Sequence, residues 1–477
     1  MIPWVLLVAD ALARAGGGQE YSGGGGSSGG GGYAGGGGSI DGDGIGLLFW
    51  LVFEHPMIGI PVLLVVMGFV FWSKAQGGHD TRQVHRTHHV RPVVMPTDTR
   101  ALLARDPNFS EPLFLDLARL VYTRAHEERG RGNWAALAPY LSEDVVEALK
   151  RRAPGEPVRH VVLGTSRVER VDVTGDVARI TVLFEGNLTE GATKRFVQER
   201  WTYARAADTR SPGPDRMRVL ACPNCGSPID TRADGSCRNC DAMLTDGRLQ
   251  WRVVDVKVLR SEPAPPIQLT RGAGVEVGTN HPLVVAPDLP AQLRAFQARH
   301  PELSWEELRA RIVEVFTRVQ EAWSEGKWER ARPYETDFLF QQHRYWIERY
   351  AAEGLKNRMD RLEVTDVALA KVSVDAYLES VTVRIFARMR DWTEDASGRV
   401  VGGSRTQDRV FSEYWTFLRS AGKPAKPRDH VDNCPSCGAP LDNVSESGVC
   451  GYCDAKITGG EYDWVLSAID QDEAYRG

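Results

Sequence analysis

At 477 residues the chain exceeds what one hydrophobic core usually supports, so two or three domains are expected. A net charge of −5, with 58 basic against 63 acidic residues, excludes a global pull toward nucleic acid or an acidic membrane surface. Any anionic partner must be met by a local patch.

Residues 1–15 join an apolar run, Ile2 to Val8, to the small-residue site Ala13-Arg14-Ala15, which predicts a signal peptide lacking its basic n-region. A first hydrophobic anchor and a disordered apolar end are the other readings. Residues 16–44 are dominated by Gly and Ser, cannot bury enough apolar surface to fold, and form a tether. Residues 45–73 are almost wholly apolar, and their charge-free core, 56–72, is near the minimum that crosses a hydrocarbon layer as one transmembrane helix. A charge at mid-bilayer costs roughly 2.5 to 3.5 kcal/mol, so Glu54 is placed at the outer interface; Glu54 with His55 as an intramembrane proton or ion site, the other reading, would need partner helices. Asp41 and Asp43 precede the span, while Lys74, Arg82, Arg86 and Arg91 follow it, which points the C-terminal bulk toward the cytoplasm. The linker 74–97 also holds His79, His85, His88 and His89, a basic stretch read as solvated near anionic headgroups rather than as a metal site.

Beyond residue 97 the sequence repeats. Residues 100–110 and 294–304 agree at six of eleven positions, and the same offset carries Trp134 onto Trp328 and Pro139-Tyr140 onto Pro333-Tyr334. Further on, Glu199, Trp201, Thr202 and Arg205 match Glu413, Trp415, Thr416 and Arg419. Each copy opens with helices. Ser304 and Glu307 predict a capping box, followed by the core stripe Leu308, Ile312, Val315, Phe316 and Val319; Phe114, Ala118, Val121 and Tyr122 match it in the first copy. Each copy then switches to period two, at Ile180, Val182 and Phe184 and at Val381, Val383 and Ile385. The expected class is α+β, with helices covering one face of an antiparallel sheet, in domains spanning 98–260 and 291–477 about a Pro-rich linker, 261–290.

Eight cysteines form two quartets, Cys222, Cys225, Cys237, Cys240 and Cys434, Cys437, Cys450, Cys453. Each is a CxxC pair, a loop of eleven or twelve residues, and a second CxxC pair, the spacing with which two knuckles present four thiolates to one Zn²⁺. The ribbons are expected at 219–247 and 431–459, between the last two strands of each copy. A disulfide framework conflicts with a cytoplasmic location, and a closed four-thiolate shell leaves no position for hydrolytic water, so two structural zinc ions are expected. The ribbons are too acidic for a nucleic-acid footprint.

The segments Asp106-Pro107-Asn108-Phe109-Ser110, Trp415-Thr416-Phe417-Leu418-Arg419 and Trp464-Val465-Leu466-Ser467-Ala468-Ile469 resemble the Tim-forty-four-like domain, found in the membrane-docking subunit of the mitochondrial import motor and in bacterial membrane-anchored relatives. The resemblance implies two cone-shaped domains, similar to nuclear-transport-factor-two-like proteins, each with an apolar pocket. It also implies a bacterial cytoplasmic membrane protein. The leading expectation is a non-enzymatic adaptor binding an apolar protein segment or a lipid. An enzyme of the same cone fold is the alternative, although no His or carboxylate is marked out for acid/base work, and Glu314, Glu348 and Asp366 read as solvated. Ribosome or RNA docking is the third reading. No phosphate loop, dinucleotide fingerprint, nucleophile elbow or HExxH motif occurs.

Overall fold

A computed structural model describes Ala15 and residues 90–91, 97–152, 156–264, 276–422 and 432–477. The expected tether at 16–44, the apolar segment at 45–73, the linker histidines and the first fourteen residues lie outside the described residues. None of the described helices is long and apolar enough to cross a membrane.

The first copy places α1 (Arg100–Arg105), α2 (Glu111–Arg131), a helical turn (Trp134–Leu137) and α3 (Glu143–Arg152) ahead of strands β1 (Val158–Thr174), β2 (Val177–Glu190), β3 (Thr193–Ala206) and β4 (Arg252–Pro263). The second repeats this order with α4 (Leu289–Arg299), α5 (Trp305–Glu325), a turn (Trp328–Tyr334), α6 (Asp337–Ala352), β5 (Lys356–Val374), β6 (Leu378–Glu394), β7 (Val400–Gly403), β8 (Arg409–Ser420) and β9 (Val465–Gln471). Among the described sheet strands of the two copies, β7, paired on β6, has no counterpart in the first. Both sheets are antiparallel, ordered β1-β2-β3-β4 and β5-β6-β8-β9, so the fold is α+β as expected. Each ribbon enters between the last two strands.

The long helices begin and end alike. Ser110 accepts from the Leu113 N–H and Pro112 needs no partner in the first turn, while Ser304 and Glu307 close a full capping box. Both helices stop where a glycine takes the left-handed conformation, Gly132 at φ 82° and Gly326 at φ 70°. The expected stripes are buried in both copies and face Ile180, Val182 and Phe184 in one sheet and Val381, Val383 and Ile385 in the other. The first strand of each sheet carries a register shift with a left-handed residue, His160 in β1 and Arg361 in β5, which bends the strand.

One buried motif recurs with changed chemistry. Arg205 lies 4.1 Å from the Trp251 ring centre and pairs with Asp106, whose oxygens also accept from the Ser211 N–H and, at 2.7 Å, from its hydroxyl. In the second copy Arg419 lies over Trp464, but His300 stands where Asp106 would be, and Glu379 accepts from Arg419 at 2.9 Å and bonds His300 at 2.8 Å. Removing one partner from such a pair strands a buried charge, at about 3 to 5 kcal/mol. Arg205→Met should therefore lower stability by that order in urea denaturation, and Arg205→Met with Asp106→Asn, which removes the stranded charge and keeps an oxygen for Ser211, should recover most of the loss. Equal losses in the single and double variants would show that packing against Trp251, rather than charge pairing, sets the cost.

Candidate functional site

Each cysteine quartet converges. Within a quartet all four sulfurs lie within 4.8 Å of one another, with Cys222 and Cys240 3.8 Å apart, Cys434 and Cys453 3.9 Å, and Cys437 and Cys450 4.0 Å. A tetrahedron built on 2.3 Å metal–sulfur bonds has edges of about 3.8 Å, whereas a disulfide needs about 2.05 Å. The groups are thus geometrically suited to hold a metal ion and are not disulfides. The turns explain how. The residue after each CxxC adopts the left-handed conformation, Gly226 and Gly438 in the first knuckles and Asp241 and Asp454 in the second, and its N–H returns to the carbonyl of the leading cysteine at 2.8 to 2.9 Å. Small polar groups approach the sulfurs as well, among them the Ser436 N–H on Cys434 and the Asn224 side chain on Cys240, both at 3.4 Å.

Both ribbons are tied into their repeats. The Tyr140 hydroxyl donates to the Ala221 carbonyl at 2.8 Å, and Arg216 donates to the carbonyls of Pro223 and Asn224. In the second copy Arg332 donates to the Glu446 carbonyl at 2.7 Å, and Lys456 reaches Asp337 at 2.6 Å. Loss of metal should loosen these braces. Metal analysis of the purified chain should give close to two zinc equivalents, and stripping them with a chelator should lower the unfolding temperature of both repeats. A metal-free chain of unchanged stability would contradict this.

The interior of the first repeat holds a network that sequence reasoning missed. Glu199 on β3 is fully buried, bonds His126 of α2 at 3.2 Å, accepts from the Trp201 indole at 2.8 Å, and pairs with Arg152. His126 Nδ1 lies 3.1 Å from Arg129, a group with only hydrogens to offer, so that nitrogen is bare and Nε2–H faces Glu199. Burial lowers the imidazole pKa, against the pull of Glu199, and the ring stays neutral. Burial alone would raise the Glu199 carboxyl, but His126 and Arg152 outweigh it and hold it below its ordinary range. A His and a carboxylate are the right types for acid/base work, yet both are sealed beneath the Tyr122 and Trp201 rings and already bonded.

Below pH 6.5, the ordinary value of His, the unfolded chain gains a proton that folded His126 refuses, so stability falls as the pH falls. Glu199 adds a loss of the same sign below 4.5. His126→Gln, the residue of the second repeat, should shrink the drop in urea midpoint between pH 7.5 and pH 5.5. An unchanged drop would place the acid sensitivity elsewhere.

In the second repeat the equivalent glutamate, Glu413, accepts from the Trp415 indole at 3.0 Å and from Gln471 at 3.0 Å. Phe316 lies 4.9 Å from Trp415, matching the 4.9 Å between Tyr122 and Trp201. Where His126 would be expected stands Gln320, whose amide donates instead to the Ala15 carbonyl at 3.0 Å. Ala15 is fully buried in the core of this repeat, and Gln320 Oε1 is buried with no partner among the described residues.

A cavity of 610 Å³ lies between the repeats, walled by α2, the start of β1, α6 and the second ribbon. Glu348 lines it, and Glu314 is paired with Arg311 at 2.8 Å. Asp366 lies on β5, where its side chain accepts from the Val367 N–H at 2.8 Å.

Residues 290–429 match the family model of the Tim44-like domain. No curated protein matches the chain.

Proposed function

Residues 290–429 carry a Tim44-like domain, and from that premise we propose that the chain is a membrane-tethered, non-enzymatic adaptor whose second repeat receives a polypeptide segment. Both repeats are read as the cone-shaped fold, with the bent first strand wrapping the helices. The metal is read as structural Zn²⁺, because four thiolates close its shell. The tether, the apolar segment and the basic flank support a place at the bacterial cytoplasmic membrane, with cysteines kept out of disulfides in the reducing cytoplasm.

The observation that carries the binding role is Ala15, a residue far outside the domain, with its backbone carbonyl held by Gln320 inside it. A small side chain and a hydrogen-bonded backbone carbonyl in an apolar interior are what a bound peptide would present. A chain that crosses the bilayer once between residues 45 and 73 puts Ala15 and the second repeat on opposite sides. Ala15 therefore marks the kind of occupant the interior accepts, a small-residue apolar segment, rather than its lasting one. Tethering at the membrane raises the local concentration of such segments.

The test is a labelled peptide of residues 8–18 titrated onto the full chain in detergent. Saturable binding is expected, and Gln320→Leu should weaken it roughly five- to tenfold, the value of one buried hydrogen bond of about 1 to 1.4 kcal/mol. Absence of binding, or equal binding by the variant, would remove the assignment.

A further inference from the structure

A carboxamide carries a donor and an acceptor side by side, and Gln320 uses only the donor. It is 1% exposed on the core face of α5, one turn after Phe316 and one turn before Trp323. Its Nε2 donates to the Ala15 carbonyl at 3.0 Å, and because a carbonyl can only accept, that contact fixes which end of the carboxamide faces the segment. Oε1 is then left in the interior with no partner among the described residues. A buried acceptor without a hydrogen is costly, and native interiors rarely keep one.

The donors of the same interior are committed elsewhere. The Trp415 indole and the Gln471 amide both serve Glu413, at 3.0 Å each, and the Trp323 indole donates to Asn357 at 3.1 Å. An indole has one hydrogen to give. A buried water would need two or more polar partners, whereas Phe316, Val319 and Trp323, which flank Gln320 on the helix, belong to the apolar core. The hydrogen that Oε1 lacks is therefore one that an occupant brings.

An extended residue brings it in the right place. Its N–H and C=O point to the same side, which is how two strands exchange paired bonds, and a carboxamide presents the matching pair. Ala15 lies in a turn and engages the Nε2 end alone. In the first repeat the equivalent position offers no such pair, because the two nitrogens of His126 point apart and are engaged by Glu199 and Arg129.

We propose that Gln320 is a main-chain clamp: Nε2 donates to the C=O, and Oε1 accepts from the N–H, of one residue of an extended segment. The clamp rests on the proposal that this repeat receives a polypeptide segment, and it specifies how that segment is held. Such a clamp reads backbone, so segments of varied sequence are accepted provided that the clamped residue keeps its N–H and fits the fully buried space of Ala15. Proline, which has no N–H, is excluded from that place.

The experiment compares three peptides of residues 8–18 on the full chain in a neutral detergent. One is all-amide. In the second an ester replaces the Arg14–Ala15 amide, which removes the Ala15 N–H and keeps every side chain, and in the third an ester replaces the Val8–Ala9 amide. The chain's own residue 15 competes with all three alike and cancels from the ratios. The Arg14–Ala15 ester should bind at least fivefold more weakly than the all-amide peptide, about the value of one buried hydrogen bond, and the Val8–Ala9 ester should stay within twofold of it. On Gln320→Leu, which has no oxygen to accept, the Arg14–Ala15 ester and the all-amide peptide should differ less than twofold. Equal binding of these two by the wild-type chain would overturn the clamp and leave the peptide site standing. A loss on Gln320→Leu as large as on the wild type would set the N–H against another group, and an equal loss from the Val8–Ala9 ester would make the effect a general one; either would overturn the clamp. Failure of the all-amide peptide to bind would remove the peptide site and the clamp with it.

Discussion

A carboxylate buried beside a tryptophan, two residues apart on the third strand of each sheet, is the constraint around which both repeats are organised. Glu199 and Glu413 are fully buried, and a buried carboxylate without donors costs several kcal/mol, so each repeat must aim hydrogens at its own. Both use the indole of the tryptophan. They differ in the remaining donors. The first repeat recruits His126 and Arg152 from its helices and thereby pins α2 and α3 across the sheet. The second takes Gln471 from β9, the neighbouring strand, which leaves Gln320 on α5 to bond elsewhere. Two similar scaffolds thus meet the same buried carboxylate with different donors, and the family match falls on the second copy, the one proposed to receive a segment.

The metal groups act at the edges of this scaffold. Each ribbon lies between the last two strands as a module whose four sulfurs converge. Its ties run to the helices of its own repeat, and Arg218 reaches from the first copy to the second ribbon. The repeats also share apolar packing, since Leu378 and Leu418 of the second join the core of the first. The relation between the two copies is therefore fixed by packing and by polar ties that involve the ribbons.

Much of this was legible in the residues. The capping box at Ser304, the period-two strands and the CxxC spacings are local patterns, set by hydrogen bonds or side-chain alternation within a few positions. The His126 and Glu199 pair spans 73 positions, and neither residue belongs to a local motif. The repeat alignment did hold a signal, because Glu199 and Glu413 match where a solvated strand residue would be free to vary between the copies. In the first copy Tyr122, Phe184 and Trp201 pack together in the interior, while the cavity described lies between the copies. A cavity made by two domains depends on their docking, which no periodicity in either one encodes. The exchange of Asp106 for His300 stands in the aligned segments, but the carboxylate that replaces it, Glu379, lies 79 positions away, and no local pattern encodes that contact.

The central claim is that the donor facing the buried glutamate decides whether a repeat is closed or receptive. The most direct measurement is the affinity of the residue 8–18 peptide for the full chain carrying Gln320→His, which gives the second repeat the donor of the first. The account predicts that the imidazole turns to Glu413 and that affinity falls at least tenfold with the fold and metal content intact. Undiminished affinity in a folded, metal-loaded variant would contradict it.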